Sequence, residues 1–496
     1  MNTNGPPMTN LGIRIVRGGA WLAGAQLNVR LLTLVRTIVV ARILVPSDLG
    51  ILAMALIAIS VLRMLTETGF EQALIQRTRV ADRTLHVAWT ALIVRNAAIT
   101  VVLFLTADLV GRFFEAPTLA ASLRVLCVSV LLDGLTSIAL VLFQKRLDFK
   151  KQFIYEISGQ ICEFVVAVVL VVVLRSVWAL VIGRIAGSSV RLVVSYMIHP
   201  HRPRLLFDWK ELRQLLGYGK WLTMSGVLVF LLLEGDDIFV GKLFGVAMLG
   251  YYRIAYSISN FPATGISRLL AMVMFPAYSS IQHDLPRVRH LYLRSLRLTA
   301  LLTIPLSALI AVLADLFTQT VLGEKWLPIV PVLQIFALFG VLRSLGGTTG
   351  AVFLALGRPD IRTKIQLGQL IVFAATIYPF ARVMGLVGVA LAATLQALIF
   401  TVYAVWRTAR LVDLEFHRVV PTLAGPMACT AGLFAIVHAL RSTVLDAMAI
   451  PALLLLGTIG SLGYVALISM WDRWKGGVYR GEITSLYRNL AGMPRN

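Results

Sequence analysis

Charge is what this chain has least of. Only 14% of its 496 residues are Asp, Glu, Lys or Arg, while 58% are hydrophobic. A soluble domain cannot hide repeated uncharged runs of about 20 residues, so a soluble fold is excluded. Acidic residues are the scarcer sign, 24 against 46 basic. The basic excess lies in short connections beside apolar runs, where it sets orientation and meets anionic headgroups, which argues against nucleic-acid binding. Cys127, Cys162 and Cys429, the three cysteines, fall within apolar segments; neither a disulfide framework nor a metal cluster is indicated. No Gly-rich loop followed by Lys-Ser or Lys-Thr occurs, which excludes nucleotide hydrolysis by that device. Long polar stretches are missing too: the longest connections on one side, near 108–118 and 315–328, are about a dozen residues, too short for a soluble domain. A cleavable signal peptide is not expected, because the N-terminal tail is polar and the first apolar stretch runs directly into the second.

What is present is about fourteen apolar segments, at 14–41, 49–66, 86–107, 119–143, 152–174, 177–198, 215–241, 247–270, 293–314, 329–356, 363–382, 385–406, 418–439 and 449–471. Most approach the length that crosses roughly 30 Å of hydrocarbon. Basic residues fall on alternate connections. One set carries only Arg42, Arg112, Arg175, Lys242, Lys325, Arg382 and Arg441. The other set and both tails hold roughly 29 of the 46, the excess that marks a cytoplasmic side. Both termini are therefore expected in the cytoplasm, with an even number of crossings, in a bacterial inner membrane. Between the sixth and seventh segments, Asp208-Trp-Lys-Glu211 reads as a capping box opening a helix.

An internal repeat is visible. Ala41-Arg-Ile-Leu-Val-Pro-Ser-Asp-Leu-Gly50 matches Gly241-Lys-Leu-Phe-Gly-Val-Ala-Met-Leu-Gly250 at an offset of 200, and Leu142–Phe149 matches Leu354–Ile361 at an offset of 212. The expected fold is an all-α integral membrane protein of two parallel-repeat six-helix lobes, 1–198 and 199–410, followed by a helix pair and cytoplasmic tail over 411–496. Chance similarity among apolar helices is the alternative.

Ala41–Gly50 resembles the motif after the first helix of Wzx-type polysaccharide flippases. Ala73-Leu-Ile-Gln-Arg77, Val177-Trp-Ala-Leu180, Leu322-Gly-Glu-Lys-Trp326 and Leu356-Gly-Arg-Pro-Asp360 are similar to further landmarks of that family, in order, across roughly 15–410. The resemblance is to the colanic-acid and teichuronic-acid exporter branch of the multidrug/oligosaccharidyl-lipid/polysaccharide superfamily. It implies two lobes forming a V, and translocation of an undecaprenyl-diphosphate-linked oligosaccharide from the cytoplasmic to the periplasmic leaflet. The partners then expected are that lipid-linked oligosaccharide, membrane lipids, and a polysaccharide polymerase with its export machinery.

Ionisable groups inside apolar segments are costly and mark candidate sites. Arg30, Arg253, Arg63, Arg184 and Arg343 are the candidate ligands for a diphosphate, which guanidinium groups bind in a bidentate way. Arg36, Arg63, Arg124, Arg191 and Arg268 have the alternative of snorkelling to headgroups. Glu234, Asp236 and Asp237 form the densest acidic cluster; coupling to H+ or Na+ and a solvated outer mouth are both open to it. The repeat also suggests two gates: Arg36 with Asp236 or Asp237 outside, Glu67 with Arg268 inside. No cofactor and no metal are expected. The rival functions are a drug/cation antiporter of the same superfamily, which the arginine excess disfavours, and a membrane glycosyltransferase, for which no acceptor-holding loop exists.

Overall fold

A computed structural model describes residues 28–29, 32–67, 69–76, 81–145, 148–444 and 449–474. Among these every regular element is a helix. The chain packs as two compact units, Met1–Ile254 and Ala255–Asn496.

The first unit contains α1 (32–43), α2 (Pro46–Leu65), α3 (Phe70–Gln76), α4 (Asp82–Phe113), α5 (Pro117–Leu135), α6 (Val141–Lys145), α7 (Phe149–Leu174), α8 (Trp178–Ile198) and most of α9 (Trp209–Ser259). Local sequence sets several starts. Pro46 and Pro117 open α2 and α5, where a missing N–H costs nothing. The Asp148 carboxylate accepts from the Lys151 N–H at the start of α7. Asp208 caps α9 as its sequence pattern predicts, accepting from the N–H groups of Lys210 at 3.0 Å and Glu211 at 3.3 Å. The other half of that capping box differs: the Glu211 carboxylate accepts from Thr84 Oγ1 on α4 at 2.9 Å, a tertiary partner. The core of this unit includes a patch joining Val40, Leu44, Ala167, Val171 and Ala179 of α1, α7 and α8, and another built on Phe70, Leu74, Leu85 and Val141.

The second unit continues through α10 (Arg268–Ser280), α11 (Leu285–Val312), α12 (Ala314–Phe317), α13 (Val330–Ala355), α14 (Pro359–Leu411), α15 (Val420–Val444) and α16 (Ala449–Trp474). Tyr278, Tyr292, Leu296, Val352 and Val405 fill its core. The C-terminal pair α15 and α16 packs on α11 through Leu301, Leu433, Val437 and Leu456.

Among the described residues ten helices are long and apolar enough to cross a membrane, against the fourteen expected segments. Part of the difference is that α14 holds two expected segments meeting at a kink and is counted once, while α9, which also joins two across a kink, is not among the ten. Gly245 (φ 84°) and Gly385 (φ 59°) sit in the left-handed region that a Cβ disfavours. A Cβ on Gly388 would lie 1.9 Å from the Phe380 carbonyl oxygen. In a straight helix residues eight apart are separated by roughly 12 Å, so the chain folds back at Gly385. Large apolar side chains on the helix flanks, among them Leu105, Met197 and Val383, are exposed, as a lipid-facing surface requires.

The two repeated decapeptides touch. A Cβ on Gly50 would sit 1.7 Å from the Val246 carbonyl oxygen, and one on Gly250 would sit 2.0 Å from that of Pro46. Residues 50 and 250, and 46 and 246, differ by the same offset of 200. The contact is reciprocal, as a local two-fold relation between the copies demands.

Candidate functional site

Six helices of the first unit, α2 and α4–α8, surround a cavity of about 410 Å3. The spacing of its lining residues follows helix geometry: Leu92, Arg95 and Asn96 of α4, Gln152, Tyr155 and Glu156 of α7, and Arg184 and Arg191 of α8 each recur on one face. Arg63 comes from the last turn of α2 and Asp133 from α5. Beyond α5 the helix breaks at Thr136 and Ser137, and the freed groups find partners: the Leu135 carbonyl accepts from Tyr196 OH at 2.7 Å and Trp89 Nε1 at 3.4 Å, while the Ser137 N–H donates to Ser195 Oγ at 3.1 Å.

Four arginines line the cavity against two lining carboxylates, Asp133 and Glu156; with the adjoining Arg36, Glu163 and Glu67 counted, arginines still exceed carboxylates, five to four. Arg63 Nη2 is 2.7 Å from Asp133 Oδ2. Arg95 donates to the Arg63 carbonyl at 2.7 Å and to Thr66 Oγ1 at 3.0 Å, and lies 3.8 Å from Glu67. Arg184 is 3.4 Å from Glu163, a buried carboxylate on α7 that also holds Arg36 of α1. Arg191 donates to Ser188 Oγ at 3.0 Å. Glycines make room for these groups. A Cβ on Gly159 would lie 2.4 Å from Arg191 Cγ, and one on Gly187 would lie 2.8 Å from Glu163 Cβ. Excess positive charge on a membrane-embedded wall is stabilised by an anion and repels a cation.

A second cluster forms where α9 folds back at Gly245. Arg253 bridges Glu234 at 3.2 Å and Asp237 at 3.3 Å, and Tyr252 OH donates to Asp236 at 2.7 Å. A straight helix would hold residues 237 and 253 roughly 24 Å apart.

Of the arginines expected from sequence, Arg63 and Arg184 meet in the cavity. Arg253 instead serves the α9 carboxylates, and Arg343 contacts Tyr256 OH in the second unit. Arg30 and the side chain of Arg268 lie outside the described residues. The expected outer gate is not formed in this conformation: Arg36 pairs with Glu163, and Asp236 and Asp237 take Tyr252 and Arg253. The reason is tertiary, since α7 brings Glu163 to Arg36 and the Gly245 turn supplies partners to the two aspartates. Glu67, expected at the inner gate, faces Arg95. Arg124 pairs with Asp108 at 2.5 Å on an exposed surface. Arg95 escaped sequence reasoning, although its place mid-way along an apolar run was a sufficient signal, and Arg191 stands on the cavity wall.

A model of polysaccharide biosynthesis proteins matches residues 39–331, more than half of the chain. The protein belongs to this family. Its relatives include the lipopolysaccharide biosynthesis protein WzxC of Escherichia coli, 27% identical over 78% of this chain and 80% of WzxC. The teichuronic acid biosynthesis protein TuaB of Bacillus subtilis is 24% identical over 75% of this chain and 77% of TuaB. Among solved structures, the lipid II flippase MurJ in an inward closed conformation superposes with a TM-score of 0.75 at 15% identity, covering 90% of this chain and 98% of MurJ. At that identity the likeness is one of fold. The family member described here is a multi-pass membrane transporter and not an enzyme.

Proposed function

We propose that the protein carries an undecaprenyl-diphosphate-linked oligosaccharide from the cytoplasmic to the periplasmic leaflet of a bacterial inner membrane, by alternating access between lobes 1–198 and 199–410, with both termini in the cytoplasm. The observation that carries this reading is the arginine-lined cavity, whose four guanidinium groups outnumber its lining carboxylates and suit the oxygens of a diphosphate. Its volume falls within the range of about 300–1,000 Å3 usual for ligand sites. Glu234, Asp236 and Asp237 are the groups proposed to couple transport to H+ or Na+. A polymerase and export machinery would receive the flipped glycan. A cation antiporter fits the charge of the cavity poorly.

The test is flipping of a fluorescent lipid-linked oligosaccharide in proteoliposomes. Arg191→Gln removes a charge-assisted contact worth about 1.5–3 kcal/mol. It should therefore slow flipping roughly tenfold or more, while the protein still elutes as a single folded species. Unchanged flipping in Arg191→Gln and Arg95→Gln would remove the cavity from the transport path. Uptake of a cationic dye in place of the lipid would favour the antiporter.

A further inference from the structure

The connection 199–208 between α8 and α9 has no regular secondary structure, yet it is held along its length. The N–H of Arg204 donates to His86 Nδ1 at 2.9 Å, and the N–H of Leu206 donates to Thr90 Oγ1 at 2.9 Å. Arg83 pairs with Asp208 at 2.6 Å. His201 stacks on His86 with ring centres 5.0 Å apart, and His199 packs on Phe143 at 5.5 Å. One edge of the strap is therefore sewn to α4.

The opposite edge is apolar and open. Side chains alternate in extended backbone; Leu205 and Phe207 are 72% and 71% exposed, and Trp209, the first residue of α9, is 62% exposed beside them. The Phe207 and Trp209 rings stack on each other at 6.4 Å. Arg202, Arg204, Lys210 and Arg213, all exposed, flank this row. Asp208 is already neutralised by Arg83, and Glu211 is turned inward to Thr84.

Depth follows from α4. Its 32 residues span roughly 48 Å, against about 30 Å of hydrocarbon, so turns at its ends project into the headgroup layers. Thr90 is eight residues from the helix start, roughly 12 Å along the axis. Leu206 is bonded there, near the boundary between headgroups and chains. Aromatic side chains favour that boundary, and basic ones favour an anionic surface beside it.

We propose that the strap 199–210 is an interfacial anchor: Leu205, Phe207 and Trp209 insert into the same leaflet of the bilayer that α8 leaves and α9 enters, while Arg202, Arg204 and Lys210 bind the phosphates of anionic phospholipids. The occupant is lipid because the row is continuous with two membrane helices and ringed by uncompensated positive charge. Phe143 lines the arginine cavity and packs on His199, so an anchored strap holds that wall at headgroup depth. This inference does not depend on which substrate the cavity takes.

The experiment uses the full chain in lipid nanodiscs, with Cys127, Cys162 and Cys429 changed to Ala and Phe207→Cys carrying an environment-sensitive fluorophore. The label should be quenched by lipid bearing a nitroxide high on its acyl chain and protected from aqueous iodide. Raising phosphatidylglycerol from none to about 30 mol % should deepen it, and Arg204→Gln with Lys210→Gln should weaken that response by roughly fivefold per charge. Iodide quenching equal to that of a freely exposed site, without nitroxide quenching, overturns the anchor. Protection from both quenchers means a protein surface covers the row and overturns it as well. Insertion that ignores phosphatidylglycerol overturns the phosphate contacts. A parallel label at Leu205→Cys keeps the test open if the Phe207→Cys protein does not fold.

Discussion

One methyl group at Gly50 tests the tightest contact in the first unit. The Cβ of Gly50→Ala would stand 1.7 Å from the Val246 carbonyl oxygen, where atoms in contact need more than 3 Å. The neighbour is backbone in α9, so no side chain can swing away; α2 and α9 must separate. Overpacking of this kind costs about 1–3 kcal/mol. Replacing a helical glycine by alanine returns roughly 0.5–1 kcal/mol through chain entropy. The net expectation is destabilisation of about 1–2 kcal/mol. Gly347 of α13 is the control, because its added Cβ meets nothing within 4 Å; Gly347→Ala should be neutral or slightly stabilising. Gly250→Ala should behave like Gly50→Ala, since its Cβ would stand 2.0 Å from the Pro46 carbonyl oxygen. Because both collide at one joint, the double variant should cost less than the sum of the singles. Denaturant titration of the purified protein in detergent, read by intrinsic fluorescence, gives the four midpoints. If Gly50→Ala unfolds at the same denaturant concentration as Gly347→Ala, or if the two joint variants add fully, the reciprocal contact is not a packing constraint.

Glu163→Gln should destabilise the first unit by about 1–3 kcal/mol, because it strips the shared partner from Arg36 and Arg184. The lower part of that range is favoured, as the two arginines keep 27% and 30% of their side-chain exposure; adding Arg36→Gln should recover part of the loss in a double-mutant cycle. In a cysteine-free background, Lys325→Cys should react with an impermeant thiol reagent from the periplasm and Arg289→Cys should not; the reverse pattern inverts the topology. Burial, reinforced by His86, holds the His201 pKa below its ordinary value, with Asp82 opposing. The neutral ring is then favoured by folding, so its contribution is complete above the usual histidine value of about 6.5 and is lost as pH falls through the lower folded value. Amide protection at Arg204 and Leu206, taken relative to the intrinsic exchange rate at each pH, should fall over that acidic interval, and protection independent of pH would dismiss the stacked pair as a clasp.

The membrane character, the helical class and many helix ends were decided by sequence alone, because each depends on residues within one or two turns. An apolar run of 20 residues is costly in water whatever surrounds it. Proline at a first turn and Asp208 before Lys210 and Glu211 act locally. The repeat was legible for the same reason, as two similar strings 200 residues apart. What those strings do was not legible: only packing set Gly50 and Gly250 against each other. The site was likewise a tertiary decision. Intramembrane arginines are easy to count, but the direction each faces depends on helix rotation and on the neighbour that leaves space. Arg191 turns into the cavity wall beside Gly159, and Arg36 finds Glu163 across 127 residues. Arg253 meets carboxylates on its own helix only because Gly245 folds that helix back. Spacing along the chain specifies which residues share a face; which faces meet is settled by the packed three-dimensional structure.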